Sequence, residues 1–262
     1  MKPDYKNWVP KGLLHVLLSG AVVSLILFIV FCSVTLSNEA LKIALIVIFL
    51  LATIVFVIIF AFMLNMYKAF DYNGKRKISA KIVNSIALKV DIPSGGTGLD
   101  VGCGSGALTI ACAKRNLSAK MVGIDRWGKE YASYNKPLCE NNAKAEGVNN
   151  VSFKQGDAVK LDFEDESFDA VVSNYVYHNI PNKNLQEVIL ETLRVLKKGG
   201  IFVIHDIFTR SKYGDMDLFI NNLKKQGYSD VSLIDTTSGE FMSKKDALLL
   251  GLSGSALLVG KK

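Results

Sequence analysis

The sequence predicts an α/β fold, a mostly parallel sheet of seven strands preceded by a hairpin of two long apolar helices. Three observations predict it. Apolar runs at about 97–101, 120–124, 151–154, 168–173 and 200–206 alternate with helical patterns, as in a parallel sheet covered on both faces. Three glycines at alternate positions, Gly102, Gly104 and Gly106, follow the first run and lead into Ala107–Leu108–Thr109–Ile110–Ala111, a strand that turns sharply into a helix. Ahead of these lie two uncharged apolar stretches, 27 residues from Gly12 to Asn38 and 22 from Ile43 to Leu64.

Either stretch is long enough to cross a hydrocarbon core of about 30 Å at about 1.5 Å per residue. The expected spans are about 12–36 and 43–65, within a hairpin segment 1–66. A cleaved signal peptide has a shorter apolar region and a small-residue cleavage site, and no such site is evident. The turn between the spans, Ser37 to Lys42, is short. Basic residues flank the outer ends: Lys2, Lys6 and Lys11 before the first span, Lys68, Lys75, Arg76 and Lys77 after the second. The positive-inside rule then predicts a multi-pass protein of the cell membrane, with both termini and everything after the hairpin in the cytoplasm. Trp8 and Tyr67 fit interfacial anchors, and His15, Ser19 and Ser24 read as helix–helix contacts.

Residues 67–96 read as a basic amphipathic helix and a linker, with apolar positions at 78, 82, 83, 86 and 90. The basic start of that helix suits phospholipid headgroups, and its apolar side equally suits a cap on the sheet. The linker, Asp91 to Gly98, is rich in breakers. The remaining segment, 97–262, carries the sheet. Its clearest helix is Asn184–Lys197, with apolar positions 185, 188, 189, 193 and 196. Asn184 is its N-cap, Glu187 follows three residues on, and Gly199–Gly200 stops it. Two last strands, Val231–Asp235 and Ala256–Val259, flank a short helical stretch near 243–250 and complete the seven.

The net charge of +7 is located unevenly. Residues 1–42 carry +2 and residues 66–89 carry +5, whereas 90–262 holds 21 basic and 21 acidic residues. A neutral sheet domain beside a basic, apolar N-terminal region argues against nucleic acid as a partner and for an anionic bilayer surface. The four cysteines, at 32, 103, 112 and 139, have no C-x-x-C spacing and no nearby histidines. Neither a metal site nor a disulfide framework is indicated, and a reducing compartment is expected.

Ligands of such sheets bind at the carboxyl ends of the strands, and special residues collect there. Gly102–Gly106 ends the first strand, Asp125 the second, Gly156–Asp157–Ala158 the third, Ser173–Asn174–Tyr175 the fourth and His205–Asp206 the fifth. The glycines allow close approach to the main chain, and the free N–H groups of the following helix favour a negative or strongly polar ligand group. Gly102-x-Gly104-x-x-Ala107, with Asp125 about 20 residues on, also satisfies a dinucleotide fingerprint. An NAD-linked oxidoreductase is therefore the competing enzyme. It is disfavoured by Asp100 inside the strand end, by Gly106 one position early and by the lack of a recognisable hydride-transfer site.

The string Leu99–Asp100–Val101–Gly102–Cys103–Gly104–Ser105–Gly106, the spacing on to Asp125 and Asp157, the run Leu193–Gly200 and the two-strand ending resemble class I S-adenosylmethionine-dependent methyltransferases. The likeness is to their small-molecule branch, which includes quinone-ring methyltransferases. It implies the Rossmann-like, seven-stranded, mostly parallel sheet of that class and S-adenosylmethionine as cofactor. Under it, Asp125 accepts from the ribose hydroxyls, Asp157 accepts from the adenine amino group and the Ala158 N–H reads the ring. Gly102, Gly104 and Asn174 line the methionine part, Trp127 packs beside the ribose or adenine, and Asp100, Cys103, Gly106, Arg126 and Gly156 complete the cofactor site. The Cys103 thiol receives no catalytic role.

Methyl transfer asks chiefly for alignment, since the sulfonium is already activated. A base is needed only where the acceptor must lose a proton, and His178, His205 and Asp206 are the candidates. His178, in the loop Tyr175–Ile180, reads equally well as a scaffold histidine capping the next helix. The expected acceptor is a small amphiphile: a quinone, a lipid, or a hydrophobic thiol or amine. A non-catalytic S-adenosylmethionine-binding membrane module is the third reading. The filled set of strand ends favours an enzyme.

Overall fold

The computed structural model describes residues 2–128, 133–181 and 184–262, and the chain divides into two compact units. One is Asn7–Lys77; the other joins the N-terminal residues up to Lys6 with Ile78–Lys262. The division therefore falls at neither of the expected boundaries, 66 and 97. Two burials explain the shift. Tyr5 is buried in the larger unit, and the helix α3 (Ile78–Ala87) buries Ile78, Ile82, Val83 and Ile86 there. The apolar side of α3 is thus buried in the larger unit, where the helix packs on α4 (Ala107–Arg115).

In the smaller unit, helices α1 (Lys11–Ser33) and α2 (Glu39–Phe70) form a hairpin. Their most apolar windows have mean hydropathies of 2.7 and 3.5, and no residue of the α2 window is buried. A core helix of a soluble protein would be covered; these are long and apolar enough to cross a membrane. The second helix starts earlier than its apolar run because the Asn38 side chain accepts from the Leu41 N–H (3.1 Å), a cap that satisfies one orphan donor. Within the hairpin, Thr53 Oγ1 lies 3.0 Å from Ser24 Oγ, and Phe31 stacks on Phe49 with centroids 5.6 Å apart.

The larger unit is built on β1 (Thr97–Val101), β2 (Lys120–Asp125), β3 (Val151–Gln155), β4 (Phe168–Asn174), β5 (Leu196–Ile207), β6 (Ser229–Asp235) and β7 (Ser255–Lys261). They form one seven-stranded sheet in the order β3-β2-β1-β4-β5-β7-β6, parallel except for β7, which runs antiparallel to both neighbours. Between the strands lie α4 (Ala107–Arg115), α5 (Lys136–Ala145), α6 (Leu185–Arg194), α7 (Arg210–Tyr213), α8 (Met216–Lys225) and α9 (Lys244–Leu249). The central strands are buried along nearly their whole length, as sheets covered on both faces require. Leu99, Val101, Ile124, Val171, Leu193, Phe202 and Ile204 belong to the main core cluster.

One helix is shorter than its pattern predicts. The run expected to stay helical to Lys197 leaves the helix after Arg194, and Leu196 pairs with Phe168 as the first residue of β5. Its apolar residue at 196 serves the sheet, with a bulge between Phe168 and Ala170 absorbing the irregularity. Chain order along the sheet reverses between β1 and β4. That switch point opens a crevice at the strands' carboxyl ends.

Candidate active site

At the end of β1 the chain turns through Gly102, Gly104 and Gly106, all with positive φ. Gly102 has no substitute: a Cβ there would lie 2.3 Å from a Val176 methyl, at φ +76°. Gly104 is the opposite case, with nothing within 4 Å of its Cβ position. The space beside its Cα is therefore open to a ligand. The Gly104 N–H donates to Asp125 Oδ2 (2.8 Å), and the Trp127 N–H donates to Asp125 Oδ1 (2.7 Å). The Trp127 indole N–H in turn donates to the Gly104 carbonyl (3.0 Å). Asp125, Trp127 and the turn thus form one closed set. Each carboxylate oxygen keeps acceptor capacity for a ligand hydroxyl. A cofactor with a vicinal diol and a polar amino-acid portion fits this chemistry.

The remaining cofactor candidates surround that set unevenly. Gly156 joins it, its N–H donating to the Asp125 carbonyl (3.0 Å). Asp157 is exposed just past β3 with Oδ1 accepting from the Val159 N–H (2.9 Å), and Ala158 is half-buried beside it. Arg126 is exposed and its carbonyl accepts from Gln155 Nε2. Asp100 and Cys103 are buried. The Asp100 carboxylate accepts from Thr109 Oγ1 (2.6 Å), bracing α4 against β1. Burial pushes Asp100 up to about 7 and raises the Cys103 thiol, so that thiol is no nucleophile at neutral pH.

A second cluster forms where β4 and β5 end. His178, in the 3-10 turn Tyr177–Asn179, places Nδ1 2.5 Å from Asp206 Oδ1. Asp206 is fully buried and also accepts from the main-chain N–H groups of Tyr177 (2.9 Å) and Ile207 (2.6 Å). A carboxylate is an acceptor, so Nδ1 carries a proton, and in the neutral ring Nε2 carries the lone pair. The His178 side chain is 17% exposed, enough to meet a solute. Lys212 holds the turn from α7 by donating to the His178 carbonyl (2.7 Å). Tyr175, next to this turn, has φ +56°, and Trp127 has φ +45°. Left-handed backbone in bulky side chains is uncommon and gathers at functional sites.

His205 is fully buried with its two ring nitrogens 2.8 Å from Asn174 Oδ1 and 3.0 Å from Thr236 Oγ1. Burial lowers its pKa to about 3, so the ring is neutral at physiological pH. Asn174 is committed to that bond through its side chain.

Three supporting residues escaped the sequence reading. Thr109 holds Asp100; Cys139 Sγ lies 3.2 Å from the Gly104 carbonyl; Asn142 Nδ2 donates to the Ser105 carbonyl (2.9 Å). Cys139 and Asn142 sit three apart on α5, hence on one face, and that spacing was the available signal. Among the described residues there is no cluster of metal-binding type.

The Methyltransferase domain family matches residues 92–241, more than half of the chain. The chain belongs to that family. Methyltransferase domains of this kind take their methyl group from S-adenosylmethionine. A demethylmenaquinone methyltransferase of Lactobacillus johnsonii is 34% identical over 137 residues, 52% of this chain and 51% of that one. A sterol 24-C-methyltransferase of Yarrowia lipolytica is 31% identical over 147 residues, 55% of this chain and 36% of that one. The match thus spans about half the length, or less, of these two relatives. Among solved structures, geranyl diphosphate methyltransferase superposes with a TM-score of 0.56 at 13% identity, covering 74% of this chain and 81% of that one. The [4+2]-cyclase SpnF gives 0.55 at 19% identity, with 73% and 85% covered. These two likenesses concern the methyltransferase fold alone.

Proposed function

We propose that this protein is a membrane-anchored methyltransferase that moves the methyl group of S-adenosylmethionine to a small, amphiphilic acceptor. The observation that carries this reading is the Asp125 carboxylate bonded to the Gly104 N–H at the sheet's switch point, beside the open space at the Gly104 Cα. Bound there, S-adenosylmethionine supplies an electrophilic methyl group on a sulfonium. Asp125 accepts from the two ribose hydroxyls while the turn binds the amino-acid portion, and Asp157 with Ala158 reads the adenine. Asp206 keeps the His178 proton on Nδ1, and His178 Nε2 takes the proton that the acceptor loses. His205, buried and neutral, is assigned to the scaffold, and Asp100 to bracing α4.

Support for the acceptor class comes from the hairpin and from relatives named for menaquinone and sterol methylation. Two helices with exposed apolar surfaces, flanked outside by Lys2, Lys6, Lys11, Lys68, Lys75, Arg76 and Lys77, fit a bilayer with both termini and the catalytic domain in the cytoplasm. An acceptor dissolved in that bilayer is met at high effective concentration. Calorimetry of the detergent-solubilised full chain with S-adenosylmethionine and with NAD tests the cofactor. Labelled S-adenosylmethionine incubated with membrane extract tests the transfer. Heat of binding with NAD alone, or label that never enters a lipid-soluble product, overturns the reading.

A further inference from the structure

The segment before the first helix of the hairpin is bonded to a residue that holds the glycine turn. Asp4 donates its main-chain N–H to Asn142 Oδ1 (2.7 Å), and Asn142 Nδ2 returns a bond to the Asp4 carbonyl (3.0 Å). A side-chain amide here pairs with a peptide group as a neighbouring strand would. The second Nδ2 hydrogen goes to the Ser105 carbonyl (2.9 Å), inside the turn. Asn142 is 2% exposed and all of its ordinary hydrogen-bonding reach toward the turn and the segment is used. Next door, Tyr5 is 5% exposed and its hydroxyl donates to Glu146 Oε1 (3.2 Å). Glu146 Oε2 in turn accepts from Lys114 on α4 (2.8 Å). The segment therefore grips α5 and, through Glu146 and Lys114, α4, the two helices that flank the turn.

We infer that Asn142 is a positioning residue through which residues 2–6 fix the glycine turn, so that cofactor affinity depends on the stretch of chain preceding the hairpin. This rests on the cofactor site proposed above. The physical argument is one of order. A turn of three left-handed glycines has wide conformational freedom, and each carbonyl bonded from outside removes some of it before the ligand arrives. Indole and thiol fix Gly104, and Asn142 fixes the Ser105 carbonyl. Asn142 is itself oriented by Asp4. With the segment gone, its amide has lost two of three bonds and is free to turn away from Ser105.

A double-mutant cycle on the full chain in detergent tests this, with the S-adenosylmethionine Kd and amide exchange at residues 104–106 as readouts. The variants are Asp4→Pro with Tyr5→Ala, which remove the N–H that Asn142 Oδ1 accepts and the buried ring that seats the segment while keeping Lys2 and Lys6; Asn142→Ala; and their combination. Asn142→Ala should weaken binding about three- to tenfold, the worth of a neutral hydrogen bond, and speed exchange in the turn. The Asp4→Pro, Tyr5→Ala variant should weaken binding by a similar factor in the native background and have no further effect in Asn142→Ala. Additive losses, or an affinity within twofold of the parent, overturn the inference. Asp125→Ala run in parallel separates the two claims: if it also leaves affinity untouched, the cofactor site itself is wrong. If it alone weakens binding, the site stands and the role of the segment falls.

Discussion

Asp100 and His205 make opposite contributions to the pH dependence of stability, and replacing one uncovers the other. Burial holds the Asp100 carboxyl at about 7 against an ordinary 3.8, and the His205 ring at about 3 against 6.5. Between pH 4 and 7 the folded protein keeps a proton on Asp100 that the unfolded chain has lost, so raising the pH costs stability. Between pH 3 and 6.5 the unfolded chain holds a proton on His205 that the folded protein lacks, so raising the pH adds stability. Each slope is about 1.4 kcal/mol per pH unit, and the two nearly cancel from pH 4 to 6.5. Asp100→Asn keeps an acceptor for Thr109 Oγ1 but has no proton to lose. Its stability should match the parent near pH 4 and exceed it by up to about 4 kcal/mol at pH 8. The parent should be flat over most of that range while the variant gains steadily from pH 4 to 6.5. Denaturation of the cofactor-free full chain in detergent, followed by near-ultraviolet circular dichroism, gives both curves. A gap between them that is the same at every pH, or a variant weaker than the parent at pH 8, refutes the reasoning.

Three further outcomes follow from the site. Asp125→Ala should weaken S-adenosylmethionine binding at least about tenfold, the worth of a charged hydrogen bond, as read by calorimetry. His178→Ala should lower turnover about 10²-fold with cofactor affinity unchanged, and full activity would return His178 to the scaffold. Asp206→Asn should cost a comparable factor and add little to His178→Ala, because the two act as a unit in steady-state kinetics.

Much of the site was legible because its residues lie where local rules operate. A strand end is marked by the close of an apolar run, and the glycine turn by composition, so neighbouring letters single out Asp125, Gly156 and His178 as candidates. What their side chains do once there was less legible. His205 and Asp206 are adjacent in sequence and point to opposite tasks, because alternate residues of a strand face opposite sides of the sheet. One meets Asn174 and Thr236 in the interior, the other meets His178. The helix ending at Arg194 was overestimated for a related reason: Leu196 satisfies the helical period, yet sheet pairing with Phe168 claims it. Contacts such as that of Asp4 with Asn142, 138 residues apart, leave no local trace at all.

The hairpin is an insertion and not an appendage, because the chain leaves the larger unit at Lys6 and re-enters it at Ile78. This changes how a soluble form should be engineered. Cutting away everything before the basic stretch, the ordinary way to remove an N-terminal apolar hairpin, deletes a piece of the larger unit along with the hairpin. The deleted piece includes Tyr5, whose ring leaves an unfilled hollow beside α5, and the partner of Asn142. The excision that respects the fold keeps residues 2–6 and replaces 7–77 with a flexible linker, so that both severed ends stay on the domain they belong to.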